Sequence, residues 1–308
     1  MIRRTLTAGA VLAVLARAGT AAQGPQVAPA GLITGVGNFS HIVADMDRAL
    51  SFYRDVIGLE VSQPPNAFSG NPAIMDLGNT PGGQSRFGSL RVPGSQIGVE
   101  LIEYKGDDRK PARPRFQDPG AANLILTVRD LDAIVARVKR SPGRIQTLSG
   151  GPATLQNGTR VIFVQDPDGF FVELSQPAQA PPTTAAASSN VIGGNFEIMV
   201  DDTARTMTLW RDVLGFDVQV GTTFDGTKLL MDTAGTPGAE FKRSAGRIPG
   251  TSVSMAFLEF RKIGRARLAT RTRDPGTPIL QLRTRDIDAL TKAWTAAGGE
   301  ISRPAAKR

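Results

Sequence analysis

Hydrophobic and polar residues follow a recurring order along the first half of the chain. Residues 39–43 predict a short strand, and from Asp47 to Ile57 apolar side chains recur at helical spacing. Asp45 precedes this helix, where its carboxylate can cap backbone N–H groups, and Gly58 follows it, where a glycine typically ends a helix. Three strand-like segments come next, at 59–61, 73–77 and 98–104. The predicted order is strand, helix, strand, strand, strand (βαβββ).

The same order begins again at residue 124. A strand at 124–128 leads to a helix at 131–138, with Asp130 as its predicted N-cap. Further strand-like segments follow at 145–147, 161–164 and 170–174. Two βαβββ units are therefore predicted within residues 33–178, and the fold class is α+β.

This pair of units is then repeated. Arg54-Asp55-Val56-Ile57-Gly58 has a counterpart 157 residues later in Arg211-Asp212-Val213-Leu214-Gly215. Asp118-Pro119-Gly120 has one 156 residues later in Asp274-Pro275-Gly276. Such self-similarity is typical of a duplicated structural unit. We predict two tandem modules, residues 33–178 and 191–308, joined by a linker at 179–190.

The second module is expected to be incomplete at its C-terminal end. Its last predicted helix starts near Ile287, and only a short strand-like segment follows at Glu300-Ile301. By the spacing from Asp130 to Glu173, the closing glutamate of this copy would lie beyond Arg308. The final two strands would be missing, which leaves an unpaired sheet edge.

An export signal is predicted at the N-terminus. Arg3 and Arg4 precede an apolar run at residues 6–16, and small residues follow at 18–22. We predict a signal peptide over residues 1–22, a flexible linker over 23–32, and a periplasmic or secreted location. No stretch of the chain reaches the roughly 20 apolar residues that a membrane-spanning helix needs, so no membrane span is expected after cleavage. Because Arg17 directly follows the apolar run, an uncleaved anchor is the alternative.

Composition and charge narrow the function classes. The chain has no cysteine, which excludes disulfides, thiolate metal sites and a cysteine nucleophile. The formal net charge is +8, and much of the positive charge lies in residues 261–273 without interleaved aromatic residues. This pattern favours a solvated surface over a nucleic-acid interface. The expected partner is a small molecule, and the sequence does not define an oligomeric state.

Two motifs carry a family resemblance. Residues 41–59, which begin His41-Ile-Val-Ala-Asp45, resemble the opening of a vicinal oxygen chelate module, and residues 165–174, with the turn Asp166-Pro-Asp-Gly169, resemble its closing strand. This superfamily includes glyoxalase I, extradiol dioxygenases, bleomycin resistance proteins and methylmalonyl-CoA epimerase. The resemblance implies the glyoxalase/bleomycin resistance/dioxygenase-like fold, in which paired βαβββ units curve around a cavity that often holds a divalent metal.

The resemblance also implies where metal ligands would lie. The family's first ligand is typically a histidine seven residues before the helix-capping aspartate, and this chain has Asn38 and Asn123 at that position in the two halves of module 1. Glu100 and Glu173 match the family's carboxylate positions. Together the four imply an all-oxygen metal site, which suits Mg²⁺, Mn²⁺ or Ca²⁺ better than Zn²⁺. The alternative is that both glutamates only form hydrogen bonds within the cavity, so the cofactor stays undefined.

His41 is the only histidine in the chain. Because strand side chains alternate, it shares a face with Phe39 and Val43 that should pack against the helices. A buried, hydrogen-bonded histidine is therefore expected, although a β-bulge would turn it toward the cavity and make it a further candidate ligand. One histidine cannot build the two-histidine, one-carboxylate iron triad, so a standard extradiol dioxygenase is not expected.

Two functions fit these residues, and the sequence alone does not decide whether the protein is an enzyme. In the first, a hard metal ion in module 1 holds a small oxygenated substrate, and Glu173 acts as ligand or general base in lyase or isomerase chemistry. In the second, the protein binds a small molecule without metal, as bleomycin resistance proteins do. The absence of histidine ligands, and Ala256 and Ile279 at the equivalent positions of module 2, favour the second. The presence of both Glu100 and Glu173 in module 1 favours the first, which is the preferred interpretation.

Overall fold

A computed structural model of the chain describes residues 9–11, 31–105 and 108–303. The strands of this part are β1 (Gly9–Val11), β2 (Ile33–Val43), β3 (Glu60–Gln63), β4 (Gln84–Arg91), β5 (Gly98–Lys105), β6 (Ala122–Val128), β7 (Arg144–Ile145), β8 (Ala153–Thr154), β9 (Arg160–Gln165), β10 (Phe171–Gln176), β11 (Val191–Val200), β12 (Asp217–Gln219), β13 (Glu240–Arg247), β14 (Ser254–Arg261) and β15 (Pro278–Thr284). The helices are α1 (Met46–Ser51), α2 (Pro72–Leu77), α3 (Leu131–Val138), α4 (Thr203–Trp210), α5 (Lys228–Ala234) and α6 (Ile287–Ala296). None of the described helices is long and apolar enough to cross a membrane.

The helix boundaries follow the predicted capping residues. The Asp45 carboxylate accepts a hydrogen bond from the Arg48 backbone N–H at 2.8 Å, and Asp130 caps α3 through the Ala133 N–H at 3.0 Å. After α1 the chain continues as a π-helical segment, Phe52–Ile57. This segment ends at Gly58, whose φ of 100° is a left-handed conformation that glycine adopts readily. Asp202 and Asp286 cap α4 and α6 in the same way. The predicted repeat of strand, cap and helix is confirmed.

One predicted strand is wrong. Residues 73–77 belong to helix α2 rather than to a strand. The Asn71 side chain caps this helix by accepting the Ala73 N–H at 3.0 Å, and Pro72 stands in its first turn, where its missing N–H costs nothing. A short apolar run gives no periodicity to separate helix from strand, so these local signals decide.

The described strands form two sheets, and each sheet takes half of each module. The first has the order β1-β15-β2-β5-β4-β3, which joins the first half of module 1 to β15 of module 2. The second has the order β12-β13-β14-β11-β6-β10-β9-β7, with β8 on β9, and joins the second half of module 1 to the first half of module 2. Antiparallel pairs β2–β15 and β6–β11 make these joints. The two modules are therefore interleaved.

The hydrophobic core lies between the two sheets. It joins residues of both sheets with residues of α1, α3, α4 and α6. At its centre the Phe39 ring lies 5.3 Å from that of Phe170 and 5.5 Å from that of Phe196, so both modules meet there. Because strand side chains alternate, residues next to Phe39 and Phe196 face away from this core. The outer face of each sheet is thus free to carry polar groups.

The second module has no counterpart of the closing turn among the described residues. In module 1, His41 and Tyr53 contact Asp166 of that turn. Their counterparts in the repeat, Ile198 and Trp210, instead line a cavity of about 380 Å³. At the same place in the sheet, β1 pairs antiparallel with β15, so the sheet edge that was expected to be unpaired has a partner. Apart from β1, the predicted signal peptide lies outside the described residues and stays a prediction.

Candidate active site

A cavity of about 400 Å³ opens on the outer face of the nine-stranded sheet formed by the described residues. Its wall is largely apolar and includes the rings of Phe163, Phe241 and Phe260. Glu173, from module 1, and Glu197, from module 2, also line it. A concave, mostly apolar site with a few convergent polar groups is the usual form of a small-molecule site. The interleaving of the modules is what creates it.

The sheet register brings the two glutamates together. Asn123 lies on β6, directly opposite Glu197 of β11 and one strand away from Glu173 on β10. The Asn123 amide donates to both carboxylates, with Nδ2 at 3.3 Å from Glu197 Oε2 and 3.4 Å from Glu173 Oε2. Glu197 is 4% exposed, whereas Glu173 keeps part of its surface open to the cavity. One amide thus connects two acidic groups that are far apart in the sequence.

Burial raises the pKa of both carboxyl groups and makes them weak acids. Burial raises the pKa of Glu173 to about 8, and the negative charge of Glu197 adds to this rise, while the Arg243 guanidinium and the Asn123 hydrogen bond oppose it. Burial likewise raises the pKa of Glu197 against the same two opposing groups. Two carboxyls that share one site do not both ionise readily. The pair can therefore hold a proton near neutral pH and exchange it with a ligand.

The donor set of this site fits a hard divalent cation. The buried Asn123 Oδ1 has no hydrogen-bond partner among the described residues, and it lies beside two carboxylates. Carboxylate and amide oxygens are preferred by Mg²⁺, Mn²⁺ and Ca²⁺. Asn195, which stands at the family's histidine position in module 2, is already engaged, because its Oδ1 accepts the Ser254 N–H at 3.1 Å. Glu173, Glu197 and Asn123 are thus the groups that would hold such a cation.

The four predicted ligands are not assembled into one site. Asn123 and Glu173 lie at the cavity, but Asn38 and Glu100 belong to the other sheet. There Glu100 Oε2 accepts hydrogen bonds from Ser40 Oγ at 2.8 Å and Gln281 Nε2 at 2.7 Å. The expectation of a site built by module 1 alone is corrected, because the two halves of that module belong to different sheets. Any ligand role of Asn38 and Glu100 stays a prediction.

His41 is fully buried on the core face of β2, where strand alternation places it. Its Nε2 lies 2.7 Å from Asp166 Oδ2, which also accepts the Tyr53 hydroxyl at 3.0 Å. Although burial opposes it, the Asp166 carboxylate raises the pKa of His41. His41, Asp166 and Asp168 lie close enough together to hold a metal ion, but Asp168 forms an ion pair with Arg48 at 2.8 Å. These contacts connect β2 of the six-stranded sheet to the closing turn, on the core side and not at the cavity of the nine-stranded sheet.

Sequence reasoning missed Glu197 and Arg243. Glu197 stands where the first copy has Ser40, two residues beyond an asparagine of the predicted ligand position, so strand alternation places it on the cavity face. That signal was available in the repeat. Arg243 stands where the first copy has Phe87, and only the sheet pairing shows that it reaches the cavity.

The fold and the comparisons agree on the class of protein. Paired βαβββ units with a cavity on a curved sheet define a glyoxalase-like protein. The chain belongs to the Glyoxalase/Bleomycin resistance protein/Dioxygenase superfamily, whose family model matches residues 35–174 and 194–308. Glyoxalase I from Zea mays has the same fold, with a TM-score of 0.54 at 17% identity over 87% of this chain and 82% of that chain. The predicted family and fold class are confirmed.

Curated relatives match part of the chain. A 2-epi-5-epi-valiolone epimerase from Actinomyces sp. is 30% identical over 153 residues, which cover 47% of this chain and 81% of the relative. The mitochondrial methylmalonyl-CoA epimerase of Mus musculus is 28% identical over 151 residues, 46% of this chain and 74% of the relative. A probable lactoylglutathione lyase from Synechocystis sp. is 26% identical over 135 residues, 44% of this chain and 88% of the relative. Each match spans less than half of this chain.

Proposed function

We propose that the protein is an enzyme of the isomerase type that moves a proton on a small oxygenated molecule held in the 400 Å³ cavity. The observation that carries this proposal is the pair of carboxyl groups, Glu173 and Glu197, that face one apolar cavity and share the Asn123 amide. Two curated relatives are named epimerases, and epimerisation is a proton transfer at carbon.

Proton transfer requires one of the two carboxyl groups, Glu173 and Glu197, to be ionised and the other to be protonated. The ionised carboxylate takes a proton from a carbon next to a carbonyl group of the substrate, and the protonated partner returns a proton to that carbon. The carbon–hydrogen bond that breaks is replaced by a new one, so the product is an isomer and no electrons are lost. The Asn123 amide keeps both carboxyl groups oriented toward the cavity. The apolar walls exclude water, which strengthens each of these interactions.

A bound divalent cation would add Lewis-acid polarisation of a substrate oxygen at this site. The groups that would hold it are the two carboxylates and the free oxygen of Asn123. Its role is separate from that of the protein groups, which bind the ligand, exclude water and hold the proton. Glu173 and Glu197 are the residues on which either form of the site depends.

Hydrogen exchange tests the proposal directly. The full chain is incubated in D₂O with 3-hydroxybutan-2-one and with 2-methyl-3-oxobutanoate, and deuterium at the carbon next to the carbonyl is followed by NMR. We expect enzyme-dependent exchange, slowed about 100-fold or more in Glu173→Gln and in Glu197→Gln. Glu100→Gln, a matched change in the other sheet, should keep the wild-type rate. Binding of these compounds without exchange would instead support the binding-protein alternative.

A further inference from the structure

We infer that the ligand of this cavity is a small organic anion, and that Arg243 at the cavity wall holds its carboxylate. The inference rests on the proposed function for the choice of cavity, but it concerns what is bound rather than what is done to it. It makes Arg243 a specificity-determining residue.

The Arg243 guanidinium is not engaged by a direct contact with any described side chain. Arg243 lies on β13 and lines the cavity, yet within the described residues its guanidinium has no hydrogen bond and no ion pair. Neighbouring cations are paired, since Lys242 lies 2.9 Å from Glu259 and Arg261 lies 2.6 Å from Glu240. The Arg243 side chain is also exposed to solvent, so its donors are accessible to a ligand that enters. A planar guanidinium with free donors matches the geometry of a carboxylate.

The charges of the cavity are separated in a way that orients an anion. The Arg243 charge is felt at both Glu173 and Glu197, which places it on the same cavity as the acidic pair. The guanidinium nevertheless makes no direct hydrogen bond to either glutamate among the described contacts. An anionic group would be repelled by an ionised glutamate and attracted by Arg243. The ligand carboxylate therefore lies at Arg243, and the uncharged part of the ligand reaches the acidic pair.

The repeat shows that this cation is particular to one cavity. The counterpart of Arg243 in the first copy is Phe87, in the sheet where Glu100 is closed off by Ser40 and Gln281. The arginine is thus not a residue that the scaffold requires at this position of the strand. The rings of Phe163 and Phe241 line the same cavity and suit the hydrocarbon part of a ligand. A small acid with a short apolar body satisfies both features.

A pair of probes that differ in one charge tests this inference. Binding of 2-methyl-3-oxobutanoate and of its methyl ester to the full chain is measured by ligand-observed NMR titration. In Arg243→Gln we expect affinity for the acid to fall about 10-fold or more, since a charge-assisted hydrogen bond is lost, while affinity for the ester changes by about 2-fold at most. Arg243→Lys should recover part of the loss.

Arg247→Gln is the matched control, because Arg247 lies on the same face of β13, is exposed, and does not line the cavity. It should bind both probes as the wild type does. Equal losses for acid and ester in Arg243→Gln, or no loss for either, would overturn the inference. So would the absence of binding of both probes to the wild-type chain at about 10 mM.

The outcome is independent of the exchange experiment. A charge-selective loss in Arg243→Gln without any exchange leaves the anion site standing and removes the proposed enzyme. If exchange depends on Glu173 but Arg243→Gln changes the affinities for acid and ester equally, the proposed enzyme stands and the anion site is removed.

Discussion

Glu173 and Glu197 come from different modules, and the Asn123 amide lies within 3.4 Å of both carboxylates. Both carboxylates accept from this one amide, and the negative charge of Glu197 raises the pKa of Glu173, so the protonation of one depends on the other. Acidic groups coupled in this way titrate as a pair. The pair therefore gives the molecule a pH dependence that can be measured apart from any substrate.

Glu173→Gln is expected to make the metal-free protein more stable at alkaline pH. An unfolded glutamate has a pKa of about 4.3, whereas burial raises the pKa of Glu173 to about 8. Between these values the folded state binds more protons than the unfolded state, so the free energy of unfolding falls as the pH rises. Glutamine cannot ionise and removes this loss. We expect the variant to gain about 3–4 kcal/mol over the wild type between about pH 5 and pH 8.

The measurement is urea unfolding in the presence of a chelator, followed by tryptophan fluorescence. Glu60→Gln, a change in a surface strand, serves as the control and should follow the wild-type curve at both pH values. A wild-type protein that gains stability on going from about pH 5 to pH 8, relative to Glu173→Gln, would contradict the raised pKa.

Metal content is expected to depend on the acidic pair. If a divalent cation is resident, dialysed wild-type protein should retain Mg²⁺, Mn²⁺ or Ca²⁺ near one equivalent by elemental analysis, while Glu173→Gln and Glu197→Gln lose it. Glu100→Gln should retain it, because Glu100 belongs to the other sheet. Metal that persists in both cavity variants and disappears in Glu100→Gln would place the ion in the six-stranded sheet instead.

Asp166→Asn should destabilise the protein without changing the cavity. Although burial opposes the change, His41 lowers the pKa of Asp166, and Asp166 raises that of His41, so each group favours the charged form of the other. The stabilising contribution of the pair is complete below the unfolded histidine pKa of about 6.5 and is lost as the pH rises through the raised value. Removing one partner of a buried pair costs about 3–5 kcal/mol.

Urea unfolding at about pH 6 measures this loss. The hydrogen exchange rate of the folded variant should match that of the wild type, since the pair lies on the core face. A slowed exchange rate in folded Asp166→Asn, with unchanged stability, would indicate that His41 belongs to the active site.

A fragment of module 1 alone, residues 31–180, is expected to form dimers rather than monomers. In the full chain β2 pairs with β15 and β6 pairs with β11, and both partners are lost in the fragment. The exposed edges of two fragments can pair with each other and rebuild both sheets. Light scattering after size-exclusion chromatography reports the mass. A well-folded monomeric fragment would show that each module closes on itself.

The helices and most strands could be predicted from the sequence, but the pairing of strands from different modules could not. The capping aspartates, such as Asp45 and Asp130, act through residues only three positions away, so their helices could be predicted. The joint of β6 with β11 could not, because pairing within a module satisfies the same hydrophobic pattern. For the same reason the sequence predicts Asn123 and Glu173 together with Asn38 and Glu100 of module 1, whereas the structure places Glu197 of module 2 beside them. The sequence repeat and strand alternation are enough to place Glu197 on the cavity face, but they are not enough to place Arg243 there.

The interleaving of the two modules also bears on how such a protein can change over time. In a symmetric homodimer with this architecture, every substitution would appear twice, once in each of two equivalent cavities. Here the two halves of each sheet are encoded separately, so Arg243 and Phe87 can differ at the same structural position. One sheet can therefore place the Glu173–Glu197 pair at a cavity, while at the equivalent place of the other sheet Glu100 is hydrogen-bonded to Ser40 and Gln281. A single chain can therefore use one scaffold twice and carry a different chemistry on each copy.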